Sequence, residues 1–118
     1  MEYKYINPEY LESVSSGDPG IIKEIVSMFG EQIREVSGQM NSLLENKDYL
    51  NLGLLAHKVK SSVSIMGMDD LASMLKTFEI QAKEGRQTEQ YDGYIERFTL
   101  ETAEAFKELQ DLISTRYK

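Results

Sequence analysis

The sequence predicts an all-α fold: an antiparallel four-helix bundle with a short extra helix at its N-terminus. Three observations point there. Apolar residues recur at helical spacing over most of the chain, no segment alternates with period two, and both prolines fall before residue 20. A chain nearly free of proline beyond that point sustains long helices, and amphipathic helices with short connections pack as bundles. The 118 residues, 41% of them hydrophobic, suit a single domain spanning 1–118 with one modest core. There is no internal repeat, low-complexity tract or interdomain linker.

Asn7-Pro8-Glu9 opens the first helix: an N-cap, a proline at the first helical position and an acid in the first turn. Ser15-Ser16-Gly17 ends it, and Asp18-Pro19 repeats the start signal. Ile22, Ile25, Val26, Phe29, Ile33, Val36, Met40, Leu43 and Leu44 then hold one stripe, which predicts a helix over roughly residues 19–45. After a loop at Asn46-Lys47-Asp48, a third helix runs from Tyr49 to Met66 with Leu52, Leu55, Val59, Val63 and Met66 on its apolar face. Gly67 stops it. Asp69 is placed to cap the fourth helix, whose stripe is Leu71, Leu75, Phe78 and Ala82 and whose end is Gly85. Thr88 opens the last helix, with Tyr91, Ile95, Phe98, Ala105, Leu109 and Leu112 on one side. Gly93 weakens its first turns and allows a start after Asp92-Gly93.

Composition removes several functions. Asp and Glu number 20 against 13 Lys and Arg, a net charge of −7. That balance repels phosphate backbones and anionic membrane surfaces, so neither nucleic acid nor membrane is an expected partner. Without cysteine there is no disulfide scaffold and no Cys-ligated metal, and one histidine rules out a multi-His site. No apolar stretch approaches a membrane span or a signal-peptide core, so a soluble, cytoplasmic protein is expected. Met1, followed shortly by a helix start, leads to the expectation of a free-standing protein.

The single histidine, His57, carries the functional argument. On a helical wheel it points about 170° away from the apolar stripe of its own helix, toward water. Gly53, Ser61 and Ser64 on that side are small, and Leu50 and Leu54 are apolar residues expected to be partly exposed. A flat patch of small and apolar residues around an imidazole suits a docking surface. Lys60, at i+3, leans over the same side and can offer an ammonium to an anion held on the ring. Neutral imidazole, with an unperturbed pKa of ~6.5, is nucleophilic at physiological pH. Ser61 is a conceivable hydrolytic partner, but a convex helix surface offers neither oxyanion hole nor pocket. Serine and lysine nearby do not make a metal site. Covalent carriage of a phosphoryl group on a ring nitrogen remains.

The run Ala56-His57-Lys58-Val59-Lys60-Ser61-Ser62-Val63-Ser64-Ile65-Met66-Gly67 resembles the signature of histidine-containing phosphotransfer (HPt) domains: histidine, an aliphatic residue at i+2, lysine at i+3, small residues next, glycine at i+10. Gly17-Asp18, Phe29, Leu71 and Leu75 extend the likeness over most of the chain. The resemblance implies that His57 accepts the phosphoryl group, that Lys60 neutralises or orients it, and that Ser61 keeps the adjacent surface low. Glu79 matches a position where many members place a polar side chain that hydrogen-bonds the imidazole; a bond to Nδ1–H leaves Nε2 as nucleophile. The usual glycine is Ser61 here, whose hydroxyl can itself reach a phosphoryl group, and Lys58 adds a further positive charge.

The resemblance also implies partners. No Gly-rich phosphate loop or Walker motif is present, so the chain is not a kinase. The acid and proline that usually follow the histidine of sensor-kinase dimerisation domains are missing after His57. The expected partners are receiver domains of response regulators, or a hybrid sensor histidine kinase. The receiver supplies its own aspartate and Mg²⁺, and no cofactor or metal is expected on this chain. A monomeric, passive carrier follows, with Leu50, Leu54 and Met68 as candidate apolar contacts. The alternative is a helical interaction module that binds a signalling partner through the same face without phosphorylation.

Overall fold

The structure is a computed structural model that describes residues 3–117. The ends of the expected 1–118 span, Met1, Glu2 and Lys118, lie outside the described residues. Among the described residues there are five α-helices and one 3₁₀ turn: α1 (Pro8–Ser15), α2 (Pro19–Glu45), α3 (Tyr49–Ile65), α4 (Asp69–Glu84), the turn Thr88–Gln90 and α5 (Tyr91–Arg116). There is no strand among the described residues. The molecule measures 44 × 21 × 20 Å. At 1.5 Å per residue the 27-residue α2 runs nearly its full length.

Local chemistry sets most boundaries. The Asn7 side chain accepts from the Glu9 amide, Asp18 from the amides of Gly20 and Ile21, and Asp48 from that of Asn51. Each satisfies donors that a helix N-terminus leaves free. Short connections turn α2 into α3 and α3 into α4, so consecutive helices run antiparallel. Helix α3 packs most closely on α4, α2 on α5, and α1 lies across one end against α2 and α3. The core extends from Ile6 to Tyr117 and includes Ile22, Phe29, Met40, Leu52, Val59, Val63, Leu75, Phe78, Phe98 and Leu109.

Two helix starts differ from the sequence reading. Asp69 is not the cap of α4: Met68 occupies that position and makes no side-chain cap bond, while Asp69 and Asp70 sit in the first turn. The cause is Gly67, whose φ of +79° reverses the chain and carries Met68 into the core. Helix α5 begins at Tyr91 and runs through Gly93. The buried Tyr91 ring fixes that start, its hydroxyl donating to the carbonyls of Gln81 (2.8 Å) and Arg86 (2.6 Å).

Candidate functional site

Helix α3 sorts its side chains by its packing against α2 and α4. Leu52, Ala56, Val59 and Val63 are buried, and His57 stands on the outward face with its side chain 59% exposed. Its Nδ1 lies 3.0 Å from Oε1 of Glu79 on α4. Glu79 is shielded, its side chain 12% exposed. The other carboxylate oxygen, Oε2, accepts from Lys83 Nζ at 2.7 Å, one turn along α4. Lys60 Nζ stands 3.8 Å from Oε1.

The hydrogen bond from Lys83 holds the Glu79 carboxyl below the usual range; burial opposes this, and the hydrogen bond and charge of His57 add to it. An ionised carboxylate only accepts, so the 3.0 Å contact is an Nδ1–H donating to Glu79. In the neutral ring the proton is then spoken for, and the Nε2 lone pair faces solvent. Here are an exposed nucleophilic nitrogen, an anion behind the ring to stabilise positive charge, and an ammonium close by. No group of three or more His, Asp or Glu side chains among the described residues is arranged to hold a metal ion.

The residues singled out in the sequence divide into two sets. His57, Lys60 and Glu79 come together. Ser61 and Ser64 are exposed further along the same helix, the Ser64 hydroxyl donating to the Lys60 carbonyl. Leu50 (59% exposed) and Leu54 (48%) stand on the surface of the first turns of α3, and Leu54 lines a groove with Leu43, Leu55 and Lys58. Three others do not belong to an exposed patch. Gly53 is buried under α4: a Cβ there would lie 2.9 Å from Lys83 Cγ and 3.0 Å from the Glu79 carbonyl oxygen. Its small size serves helix–helix approach. Met68 is core, because the Gly67 turn points it inward. Gly67 packs against Asn7, whose amide donates to the Met66 carbonyl at 2.8 Å, away from the imidazole.

Lys83 is the residue that the sequence reading missed. Its signal was the Glu79–Lys83 spacing of i, i+4, which any solvated helix face also shows. An apolar groove between α2 and α3, lined by Ile25, Met28, Ser62 and Ile65, was likewise not foreseen.

The family model of the Hpt domain matches residues 24–115, which take in α3, α4, most of α2 and nearly all of α5. The chain belongs to the Hpt domain family. Its role is therefore histidine phosphotransfer in a phosphorelay, as a phosphoryl carrier that interacts with receiver domains and not as a catalytic enzyme. Members of the family typically work without a bound cofactor. No curated protein and no solved structure matched the chain. No helix among the described residues is long and apolar enough to cross a membrane.

Proposed function

We propose that His57 is the phosphoaccepting residue and that Nε2 is the reacting atom. The observation that carries this is the Nδ1–Glu79 contact at 3.0 Å on an otherwise exposed ring. In the forward step the Nε2 lone pair attacks the phosphorus of a receiver aspartyl phosphate. An N–P bond forms, the P–O bond to the aspartyl carboxylate breaks, and that carboxylate leaves with the electron pair. The ring keeps its Nδ1 proton and becomes positively charged, and Glu79, already ionised, stabilises it. The reverse step regenerates neutral His57. Lys60, 27% exposed and near Glu79, meets the phosphoryl oxygens. Ser61, one turn past the histidine, leaves the approach low.

The partner is a receiver domain, free or within a hybrid sensor kinase, that brings the aspartate and Mg²⁺. It needs a low, partly apolar surface and only transient affinity. Leu50, Leu54, Ser61 and Ser64 supply that surface. The net charge of −7 argues against nucleic acid and anionic membrane as partners. On this reading the whole chain, 1–118, is one domain, which the continuous core from Ile6 to Tyr117 supports. It acts as a monomer in the cytoplasm, where its receiver partners work.

The test is transfer from a receiver domain phosphorylated on aspartate, with Mg²⁺ present. Wild type takes an acid-labile, base-stable label and His57→Gln takes none, while its free energy of unfolding in urea stays within about 0.5 kcal/mol of wild type because the side chain is exposed. Binding without label in wild type would leave the face as an interaction module only.

A further inference from the structure

The two oxygens of Glu79 are divided between different tasks. Oε2 receives Lys83 at 2.7 Å, and Oε1 receives His57 Nδ1 at 3.0 Å. Lys60 approaches Oε1 as well, from 3.8 Å. A shielded carboxylate without a counter-ion is costly, and the nearest cation relieves it. If Lys83 did not occupy Oε2, Lys60 would be the cation at hand, and it would bind the same oxygen that orients the imidazole. The site would lose on both counts: the acceptor for Nδ1–H would be shared, and the ammonium needed by the phosphoryl group would be held at the carboxylate.

The backbone shows that Lys83 is seated for this role. Its Cγ and its amide nitrogen lie so near Gly53 that a Cβ there would stand 2.9 and 3.2 Å from them. Glycine at residue 53 thus opens the channel along which the Lys83 stem runs toward Glu79. With α3 and α4 pressed together at this level, the Lys83–Glu79 pair is set beside His57 instead of splayed into solvent.

We propose that Lys83 is a positioning residue for phosphoryl transfer: by occupying Oε2 of Glu79 it dedicates Oε1 to His57 Nδ1–H, which fixes the reactive tautomer, and leaves Lys60 free for the incoming phosphoryl group. Lys83 touches neither the ring nor the transferred group. The proposal rests on His57 as phosphoacceptor, and it deepens that reading by naming what organises the site.

The experiment is ¹⁵N spectroscopy of the His57 ring in the unphosphorylated protein at mildly alkaline pH, joined to receiver-to-carrier transfer kinetics. As His57 is the only histidine, its ring signals need no assignment. Wild type shows a protonated Nδ1 and an unprotonated Nε2. Lys83→Met shifts the ring toward Nε2–H, the form that free histidine favours, and slows transfer by about tenfold, the low end of what an indirect partner of a reacting group contributes. Lys83→Arg restores both. An unchanged tautomer and rate in Lys83→Met would overturn the proposal, as would slower transfer with an unchanged tautomer and no rescue by arginine. If wild type takes no label, the phosphoacceptor reading fails, yet the ring spectra still decide whether Lys83 governs the tautomer.

Discussion

At the scale of single residues, His57, the proposed phosphoacceptor, and Glu79 split the requirements of a carrier between an exposed nitrogen and a shielded carboxylate. The nitrogen must be open, since the partner brings its own catalytic groups; the carboxylate must be ionised before the partner arrives. Glu79→Gln keeps an acceptor oxygen for Nδ1–H but removes the charge that stabilises the phosphorylated ring, so transfer falls about 10- to 100-fold with the fold intact. The pH dependence has a definite sign. The folded-state carboxyl lies below the ordinary value of 4.5, chiefly through Lys83, so its ionisation contributes stability above that value and loses it as pH falls through the lower, folded-state one. Urea midpoints of wild type and Glu79→Gln therefore differ most at neutral pH and converge on acidification below about 4.5. A gap that widens in acid would contradict this. His57 was legible in the sequence because wheel geometry sets it opposite the apolar stripe, and Lys60 because it follows at i+3 on the flank of the same side. Glu79 was legible only through family likeness, and Lys83 not at all: an i, i+4 pair reads as a surface contact worth ~0.3–0.5 kcal/mol until α3 is laid against it.

At the scale of elements, the decisive feature is how closely α3 approaches α4. Gly53 illustrates why a glycine is ambiguous in sequence: a small residue can lower a surface or admit a neighbouring backbone, and wheel position separates these only when one face of the helix is buried. Helix α3 packs against both α2 and α4, and Gly53 falls on the α4 side, so the surface reading failed. Met68 was misplaced for a related reason. The turn at Gly67, with positive φ, shifts the helix start by one residue, which rotates a nominally exposed methionine into the core. Gly53→Ala gains about 0.5–1 kcal/mol of helix propensity. Against that, its Cβ meets the Glu79 carbonyl at 3.0 Å and the Lys83 stem at 2.9 Å, and overpacking of this kind costs about 1–3 kcal/mol. A carbonyl in a helix cannot step aside as a side-chain end can, so the variant is destabilised by about 1 kcal/mol or more in urea unfolding. The His57 ring signals move with it, because the Glu79 backbone is what gets pushed. A variant as stable as wild type with unmoved ring signals would show that α4 has room to spare.

At the scale of the whole molecule, the two chain ends hold one end of the bundle shut. The segment before α1 bends at Lys4 and Tyr5, and its amides find their acceptor in a single side chain a hundred residues away: Glu108 on α5 accepts from Lys4 (3.0 Å), Tyr5 (2.9 Å) and Ile6 (3.1 Å). Tyr3 donates to Asp111 at 2.8 Å, and Tyr117 donates to Glu12 on α1. Ile6 is thereby pressed into the core, and the adjoining Asn7 amide caps the Met66 carbonyl where α3 ends. None of this was legible in the sequence, since periodicity reports the helix to which a residue belongs and says nothing of a carboxylate that serves a distant non-helical backbone. Hydrogen bonds to a charged acceptor contribute about 1.5–3 kcal/mol each when buried and less when solvated. Because Lys4 is exposed and Tyr5 and Ile6 only partly shielded at these bonds, Glu108→Ala costs about 2 kcal/mol in all. Amide exchange of Lys4, Tyr5 and Ile6 then accelerates toward unfolded rates. Phosphoryl transfer holds at the wild-type rate, since the α3–α4 pairing that builds the His57 site does not pass through this end. Protected amides in the variant would mean that Ile6 burial alone anchors the segment, and slowed transfer would mean that the N-terminal closure reaches His57 through the end of α3.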